Sequence, residues 1–159
     1  MNAYATIDSP IGRLLLHTDG ISLTGLYMDV ASRPPRKMSD WQEDATAGPL
    51  PQAIQQLEEY FAGSRRAFDL PLRVHGTEFQ QRVWRALTEI PYGTTWSYGE
   101  LARRIGNPNA SRAVGLANGR NPISILVPCH RVIGADGSLT GYGGGLPRKQ
   151  WLLAHEGLH

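Results

Sequence analysis

The single cysteine is the feature that most limits how this chain can fold. With one thiol among 159 residues, no disulfide can form within the chain and no cysteine-rich zinc module can be built. Stability must therefore come from an apolar core, which a hydrophobic content of 41% can supply. The length suits one ordinary domain or two small ones. We find no signal-peptide pattern and no membrane-spanning apolar run, so we expect a cytoplasmic protein without a membrane partner.

Charge is unevenly distributed along the chain, although the net charge is only +2. Residues 1–75 carry 7 basic and 9 acidic side chains, whereas residues 76–159 carry 9 basic and 5 acidic side chains. The basic second half also contains the cysteine. A local surplus of positive charge favours a polyanionic partner for that half.

The first half has the pattern of a small sheet followed by a helix. Apolar residues between proline- and glycine-containing turns predict three strands, and an amphipathic stretch predicts one helix that stops at Gly63. A polar, proline-rich stretch between them is predicted to be a loop. The predicted elements are strands at residues 4–7, 12–17 and 23–28, a loop at 31–49, and a helix at 50–61.

The second half is predicted to be mainly helical, with capping patterns at the helix starts. Thr77 and Gln80 precede the first apolar stripe, and Ser97 and Glu100 precede a short helix. In each pair the first side chain can cap the helix while the second reaches back to the N-cap amide. A last helix is predicted over residues 148–156.

Two short helices are predicted to pair across the turn at residues 106–108. Asn109 is in position to cap the second of them, over residues 110–118. This pattern indicates a helix-turn-helix, with a plain helical hairpin as the alternative. Arg112 lies in the first turn, where the helix dipole disfavours a cation. It therefore favours an external partner such as a base stack or phosphate, with a solvated arginine as the alternative.

The cysteine lies at the end of an apolar stretch, in the run Val-Pro-Cys-His-Arg-Val-Ile-Gly at residues 127–134. Because positive neighbours favour the nucleophilic thiolate, His130 and Arg131 predict a reactive Cys129. An inert, packed cysteine is the alternative. Glu156 is an available carboxylate partner for His130. Since Cys129 and His130 are adjacent, direct contact between their side chains needs a turn or a bridging water.

The C-terminal run His-Glu-Gly-Leu-His at residues 155–159 matches the zinc-protease pattern H-E-x-x-H. In that pattern both histidines lie on one helix face. Gly157 is expected to end the helix between them, so we predict no metal site.

Several short motifs of the second half occur in one specific combination. The most specific is Pro-Cys-His-Arg-Val-Ile-Gly at residues 128–134. The others lie within residues 76–157, at 79–84, 90–93, 97–102, 112–115, 121–122, 142–145 and 152–157. In this combination the chain resembles the O6-alkylguanine-DNA alkyltransferases, and residues 6–12 and 60–63 fit the bacterial Ogt-type branch.

The resemblance implies a fold and an activity. The fold is α/β: an N-terminal ribonuclease-H-like α/β domain over residues 1–75 and a mainly helical C-terminal domain with a helix-turn-helix over 76–159. The implied activity is direct reversal of DNA alkylation, in which the alkyl group of flipped-out O6-alkylguanine, and of O4-alkylthymine, moves to Cys129. A thioether has no carbonyl for water to attack, so each molecule is expected to act once. No cofactor is implied.

The resemblance also implies roles for individual residues. Cys129 is the nucleophile, His130 takes its proton, and Glu156 orients His130. Tyr98 donates a proton to the leaving base, and Asn121 holds the turn before the cysteine. DNA contacts are expected from Arg112, Ala113, Val114, Gly115, Ser97 and Asn107, and pocket contacts from Tyr142, Val132, Ala135, Gly143 and Gly144.

The expected partner is double-stranded DNA, bound by a monomer in the minor groove with little sequence preference. Cooperative assembly along DNA is left open. Two other classes of protein fit parts of the pattern. A non-catalytic helix-turn-helix protein would bind DNA without needing Cys129, and a thiol hydrolase would turn over a small molecule repeatedly without DNA.

Overall fold

The structure, a computed structural model, describes residues 1–158. These residues divide into one unit over Met1–Val74 and a second unit that begins at His75. The predicted order of a sheet unit followed by a helical unit is confirmed. Within residues 1–158, no helix has both the length and the apolar character needed to cross a membrane.

The first unit is a four-stranded sheet with one long helix. Its strands are β1 (Ala3–Ile7), β2 (Leu14–Thr18), β3 (Leu23–Met28) and β4 (Gln42–Glu43), in the spatial order β3-β2-β1-β4. The first three are antiparallel, and β4 runs parallel to β1. The helix α1 (Leu50–Phe61) contacts β1 and β2 and has the predicted bounds.

The central strand and the short edge strand differ from the sequence patterns that predict strands. All five residues of β2 are buried, because both of its faces are covered. Residues 31–49, predicted to be a loop, contain a 3₁₀ turn at Met38–Asp40 and the strand β4. Both side chains of β4 are exposed, so no apolar alternation marks it. It is held by backbone bonds to β1, such as that from the Asp44 N–H to the Tyr4 carbonyl (2.9 Å).

The second unit is mainly helical. Up to residue 158 it contains four helices and two two-residue strands that pair in parallel. In chain order the elements are α2 (Glu78–Leu87), β5 (Trp96–Ser97), α3 (Tyr98–Arg104), α4 (Ser111–Gly119), a 3₁₀ turn at Cys129–Arg131, β6 (Val132–Ile133) and α5 (Leu146–His155).

Capping explains where α2 and α3 begin. The Gln80 N–H donates to the Thr77 hydroxyl (3.1 Å) and the Thr77 N–H donates to the Gln80 side-chain oxygen (3.0 Å), so the predicted capping box is present. The Ser97 hydroxyl accepts the Glu100 N–H (3.0 Å). The second half of that box is absent within residues 1–158, because the Glu100 carboxylate instead binds the two arginines at the end of α3.

The helices α3 and α4 form the predicted pair across a tight turn, in which the Ala110 N–H donates to the Asn107 carbonyl (3.0 Å). The prediction that Asn109 caps α4 is wrong. Ala110 occupies the N-cap position, and no side chain of the described residues caps this helix. The turn therefore places Asn109 one residue too early to reach the free amides of α4.

Candidate active site

Cys129 is buried at the start of a 3₁₀ turn, with 4% of its surface exposed. The turn is closed by the bond from the Arg131 N–H to the Pro128 carbonyl (3.0 Å). The Cys129 N–H is also bonded, to the Val127 carbonyl (2.8 Å). The chain thus turns at the adjacent Cys129 and His130, which is one of the two conditions predicted for contact between them.

The buried side chain of His130 is hydrogen-bonded to the buried carboxylate of Glu156. The distance from His130 Nε2 to Glu156 Oε2 is 2.8 Å, and both side chains are fully buried. Burial is the main cause that lowers the pKa of His130, so the ring is neutral and Nε2 carries the donated proton. Within residues 1–158, His130 Nδ1 has no hydrogen-bond partner. The ring therefore presents an unprotonated nitrogen, as a general base requires.

Arg131 holds the other side of the same carboxylate. Its Nε–H donates to Glu156 Oε1 (2.8 Å), its Nη2 donates to Oε2 (3.0 Å), and its Nη1 donates to the Ile90 carbonyl (2.7 Å). A two-point guanidinium–carboxylate pair fixes geometry as well as charge. Arg131 is therefore a structural partner of Glu156, which agrees with the expectation that Glu156 is available to orient His130.

The surroundings of Cys129 do not favour the thiolate in the way predicted from the sequence. Burial raises the pKa of the Cys129 thiol, and nearby Asn121 and Lys149 oppose that rise. His130 is neutral, and the charge of Arg131 is directed at the carboxylate. The prediction that these two neighbours stabilise the thiolate is wrong, because both are engaged by Glu156.

Two asparagines fix the backbone on either side of the thiol. Asn121 Nδ2 donates to the Val127 carbonyl (2.8 Å), and the Ile123 N–H donates to Asn121 Oδ1 (3.0 Å). Asn121 therefore holds the loop before the cysteine, as predicted. The buried Asn118, at the end of α4, donates from Nδ2 to the Cys129 carbonyl (3.3 Å). Sequence reasoning missed Asn118, although it lies on the buried face of α4 at the spacing i, i+4 from Val114.

Lys149 is a second residue that sequence reasoning missed. Its side chain is fully buried on α5, and Nζ donates to the carbonyls of Val132 (2.6 Å) and Thr140 (2.9 Å). The signal was present, because Lys149 stands three and four residues before Leu152 and Leu153 on the apolar face of the helix. A lysine at a core position of an amphipathic helix indicates a buried charge.

Two tyrosines of the predicted site lie in or next to the glycine-rich loop, which is residues 140–145. The Tyr98 hydroxyl donates to the Thr140 carbonyl (3.2 Å) and contacts the Thr140 hydroxyl at the same distance. The Tyr142 hydroxyl is buried and has no hydrogen-bond partner within residues 1–158. Burial raises the pKa of Tyr142 well above its usual range, so its phenol is protonated.

The remaining predicted pocket residues differ in accessibility. Val132 is fully buried; its N–H donates to the Cys129 carbonyl and its own carbonyl accepts from Lys149. Its predicted contact with the substrate pocket stays a prediction, because the Val132 carbonyl oxygen has a second lone pair. Ala135 and Gly143 are exposed, while Gly144 is partly buried and accepts a hydrogen bond from Arg148 Nη1 (2.9 Å).

The predicted DNA-contact residues lie on α4, in the turn before it or at the start of α3, and all but one are at least partly exposed. Val114 is fully buried and packs in the core, so its predicted contact with DNA is wrong. Arg112 is exposed, and the structure shows no hydrogen bond or ion pair for it within residues 1–158. The exposed or partly exposed members are Arg112, Ala113, Gly115, Ser97 and Asn107.

The H-E-x-x-H pattern forms no metal site in the described part of the chain. Gly157 has a φ of +91°, and α5 ends at His155, the first histidine of the pattern. His159 lies outside the described residues. Within residues 1–158, no group of three or more His, Cys, Asp and Glu side chains is placed to hold a metal ion.

The fold and the site define a two-domain protein with a buried cysteine next to a carboxylate-bound histidine, and known proteins share both domains. Residues 78–158 match the family model described as 6-O-methylguanine DNA methyltransferase, DNA binding domain. Residues 2–74 match the model described as 6-O-methylguanine DNA methyltransferase, ribonuclease-like domain. The chain belongs to the 6-O-methylguanine DNA methyltransferase family, so the resemblance and the fold class predicted from the sequence are confirmed.

Individual relatives match over almost the whole chain. A methylated-DNA–protein-cysteine methyltransferase of Mycolicibacterium paratuberculosis is 58% identical, over 100% of this chain and 94% of the relative. The crystal structure of Mycobacterium tuberculosis O6-methylguanine methyltransferase is 56% identical, with a TM-score of 0.92 over 98% of this chain and 93% of that one. A crystal structure of Mycobacterium tuberculosis OGT in complex with DNA matches with a TM-score of 0.89 and 56% identity, over 97% of this chain and 92% of that one.

Proposed function

We propose that this protein reverses DNA alkylation by moving the alkyl group of O6-alkylguanine to Cys129, once per molecule. The observation that carries the proposal is the buried His130, whose Nε2 is hydrogen-bonded to Glu156 and whose Nδ1 is unprotonated and has no hydrogen-bond partner within residues 1–158. This arrangement stands beside the chain's only thiol. The DNA-binding family domain and the relatives' names supply the substrate class.

The transfer balances without a cofactor. His130 Nδ1 takes the thiol proton, directly or through one water, and Glu156 stabilises the imidazolium that forms. The sulfur attacks the alkyl carbon, a carbon–sulfur bond forms, and the carbon–O6 bond breaks with its electron pair going to the guanine. One proton then neutralises the guanine. The products are a thioether on Cys129 and unmodified guanine.

Three further side chains serve this step in the proposal. The Tyr98 hydroxyl donates a proton toward a ring nitrogen of the leaving guanine, which eases its developing negative charge. Tyr98 must then exchange its bond to Thr140 for one to the base. Tyr142 forms a wall of the pocket. Asn121 keeps the loop before Cys129 in place through the Val127 carbonyl.

DNA binding is assigned to the α3–α4 pair. The exposed small residues of α4, such as Ala113, allow close approach to the minor groove, where sequence discrimination is weak. Reaching O6 requires the nucleotide to flip out, at a cost of a few kcal/mol. Arg112 is exposed on the first turn of α4, so we assign it the place vacated in the base stack. We further propose that the protein acts as a monomer in the cytoplasm, where its thiol stays reduced.

Intact mass spectrometry after mixing the protein with a short duplex containing O6-methylguanine tests this proposal. The wild-type protein is expected to gain one methylene mass and then stop, while Cys129→Ala gains nothing and still binds the duplex. Binding without any mass gain would leave a non-catalytic DNA-binding protein. Repeated turnover of a small thiol-reactive substrate without DNA would instead indicate a hydrolase.

A further inference from the structure

Lys149 links the cysteine turn to the glycine-rich loop. Its Nζ bonds to the Val132 carbonyl at 2.6 Å and to the Thr140 carbonyl at 2.9 Å. The Val132 N–H in turn donates to the Cys129 carbonyl. The Thr140 carbonyl also accepts the Tyr98 hydroxyl. One ammonium therefore connects the segment that carries the proposed nucleophile with the segment that holds the proposed proton donor.

The charge of Lys149 is buried without an acidic partner. Its side chain is fully buried, and no carboxylate within residues 1–158 lies within ion-pair distance of Nζ. A buried ammonium that is satisfied only by neutral carbonyls is costly, and lysines rarely occupy such positions unpaired. Burial lowers the pKa of Lys149, and the ionisable Cys129 opposes that change. Lys149 Nζ bonds to the Val132 carbonyl and the Val132 N–H bonds to the Cys129 carbonyl, so the chain's one thiol lies on the turn that this ammonium holds.

The other charged groups nearby are already engaged or neutral. Arg131 and Glu156 bind each other, and Glu156 also accepts from His130. The positive charges of Arg131 and Lys149 both help to lower the pKa of His130. The groups that face this region from the surrounding elements are Cys129, His130 and Arg131 of the turn, Tyr142 of the loop, and Arg148 and Glu156 at the two ends of α5.

We propose that Lys149 is a positioning residue for the transfer, and that its buried ammonium is the counter-charge for the Cys129 thiolate. This proposal rests on the proposed function in one respect, namely that the thiolate attacks the alkyl group. The ammonium of Lys149 thus stabilises the thiolate, which is the role that the sequence pattern suggested for His130 and Arg131. Because it stabilises the thiolate electrostatically, it offsets part of the penalty that burial imposes on the ionised sulfur.

Titration of the thiolate by its ultraviolet absorbance tests the counter-charge directly. The chain has one cysteine, so the difference between wild type and Cys129→Ala reports that thiol alone. Lys149→Met is expected to raise the pKa of Cys129 by at least about one unit, which is about a tenfold lower thiolate fraction. The single-turnover alkyl-transfer rate near pH 8 should fall by a similar factor at saturating DNA, with DNA affinity unchanged.

A second substitution separates the charge from the tether. Lys149→Gln keeps an N–H donor for the Val132 and Thr140 carbonyls but removes the charge. The proposal predicts that the pKa of Cys129 in Lys149→Gln equals that in Lys149→Met. A purely structural role of Lys149 predicts that the pKa of Cys129 in Lys149→Gln equals that of wild type. Lys37→Met is the matched control, because Lys37 is the chain's only other lysine and is exposed in the first unit. The proposal would be overturned if the pKa of Cys129 in folded Lys149→Met or Lys149→Gln equalled that of wild type.

A reciprocal measurement leaves Lys149 intact, in case its variants do not fold. With lysine labelled at Cε, carbon NMR gives two signals, and Lys37 serves as the internal reference. Coupling between two sites is mutual, so Cys129→Ala should lower the apparent pKa of Lys149 and leave Lys37 unchanged. No movement of the Lys149 signal would contradict the counter-charge. Both titrations are done without DNA, so they succeed or fail independently of the alkyl-transfer assay.

Discussion

The two units of this chain bury different kinds of side chain. In the described residues of the first unit, the buried polar side chains are those of His17 and Thr18, within a core of aliphatic residues and Tyr60. The second unit buries Asn118, His130, Arg131, Lys149 and Glu156. Burying charged groups costs free energy that pairing returns only in part, so such groups are weak evidence for stability. The comparison indicates that the core of the first unit mainly contributes stability. The core of the second unit contains charged groups that lower its stability and that belong to the proposed site.

The largest effect on stability is expected from breaking the buried cluster of His130, Arg131 and Glu156 at its central carboxylate. Glu156→Ala leaves the guanidinium of Arg131 buried without its carboxylate and removes the partner of His130. The expected loss is about 3–5 kcal/mol in the free energy of unfolding, because an uncompensated buried charge remains. Urea denaturation measures it, and a loss below about 1 kcal/mol would contradict the assigned burial cost.

Replacing all three members of the cluster separates the cost of one unpaired buried charge from the contribution of the whole cluster. A triple variant with Arg131→Met, His130→Phe and Glu156→Leu removes every charge together. Its free energy of unfolding is expected to recover most of the loss caused by Glu156→Ala, since apolar residues of similar volume often replace buried ion pairs at little cost. Alkyl transfer should be absent from the triple variant, because it lacks the proposed base His130. A triple variant that is no more stable than Glu156→Ala would mean that the cluster is needed for folding itself.

A cavity in the first unit should affect stability alone. Leu57 is fully buried on α1, so Leu57→Ala is expected to cost about 2–5 kcal/mol through lost burial and the remaining cavity. The alkyl-transfer rate of the molecules that stay folded should equal that of wild type, because no residue of the proposed site lies in this unit. A slower transfer at temperatures well below the unfolding transition would show that the first unit also shapes the site.

Acid should destabilise both units through a buried histidine. Burial is the main cause that lowers the pKa of His17 and of His130 in the folded protein. Between the folded value and the unfolded value of about 6.5, the unfolded chain binds more protons, so stability is complete above that range and is lost as the pH falls through it. Each histidine can contribute up to about 1.4 kcal/mol per pH unit.

Substitution of each histidine shows how much of the pH dependence of the free energy of unfolding comes from each unit. Urea unfolding at several pH values between 7.5 and 5 should show a smaller pH dependence in His130→Gln and, separately, in His17→Gln. The fully buried His130 is expected to account for the larger share. An unchanged slope in both variants would place the acid sensitivity on other groups.

The smallest expected effect concerns helix capping. Thr77→Ala removes a side chain that forms half of a complete capping box, and should cost about 1 kcal/mol. Asn109→Ala should change the free energy of unfolding by much less, because Asn109 caps no helix in the described residues. Thermal or urea unfolding of the two variants measures the difference. Equal losses in the free energy of unfolding would mean that Asn109 does cap α4, as its sequence position suggested.

Local rules were sufficient to predict most of the secondary structure. The helix α1 has its predicted bounds because an apolar stripe and a terminal glycine coincide there, and Thr77 with Gln80 marks the start of α2. The strand β4 was missed because backbone bonds to β1 hold it, and backbone bonding leaves no pattern of side chains. The start of α4 was displaced by one residue, since the turn geometry decides which residue becomes the N-cap.

The sequence alone determined which groups can react. One thiol, the histidine next to it and the motifs around them were enough to identify the family and to predict Cys129 as the nucleophile. Only the tertiary structure decided how those groups are charged. Burial raises the pKa of the thiol, Glu156 engages both His130 and Arg131, and Lys149 of α5 is buried with its ammonium on two backbone carbonyls. Charge balance in a core depends on which distant side chains are buried together, and no local pattern around the cysteine contains that information.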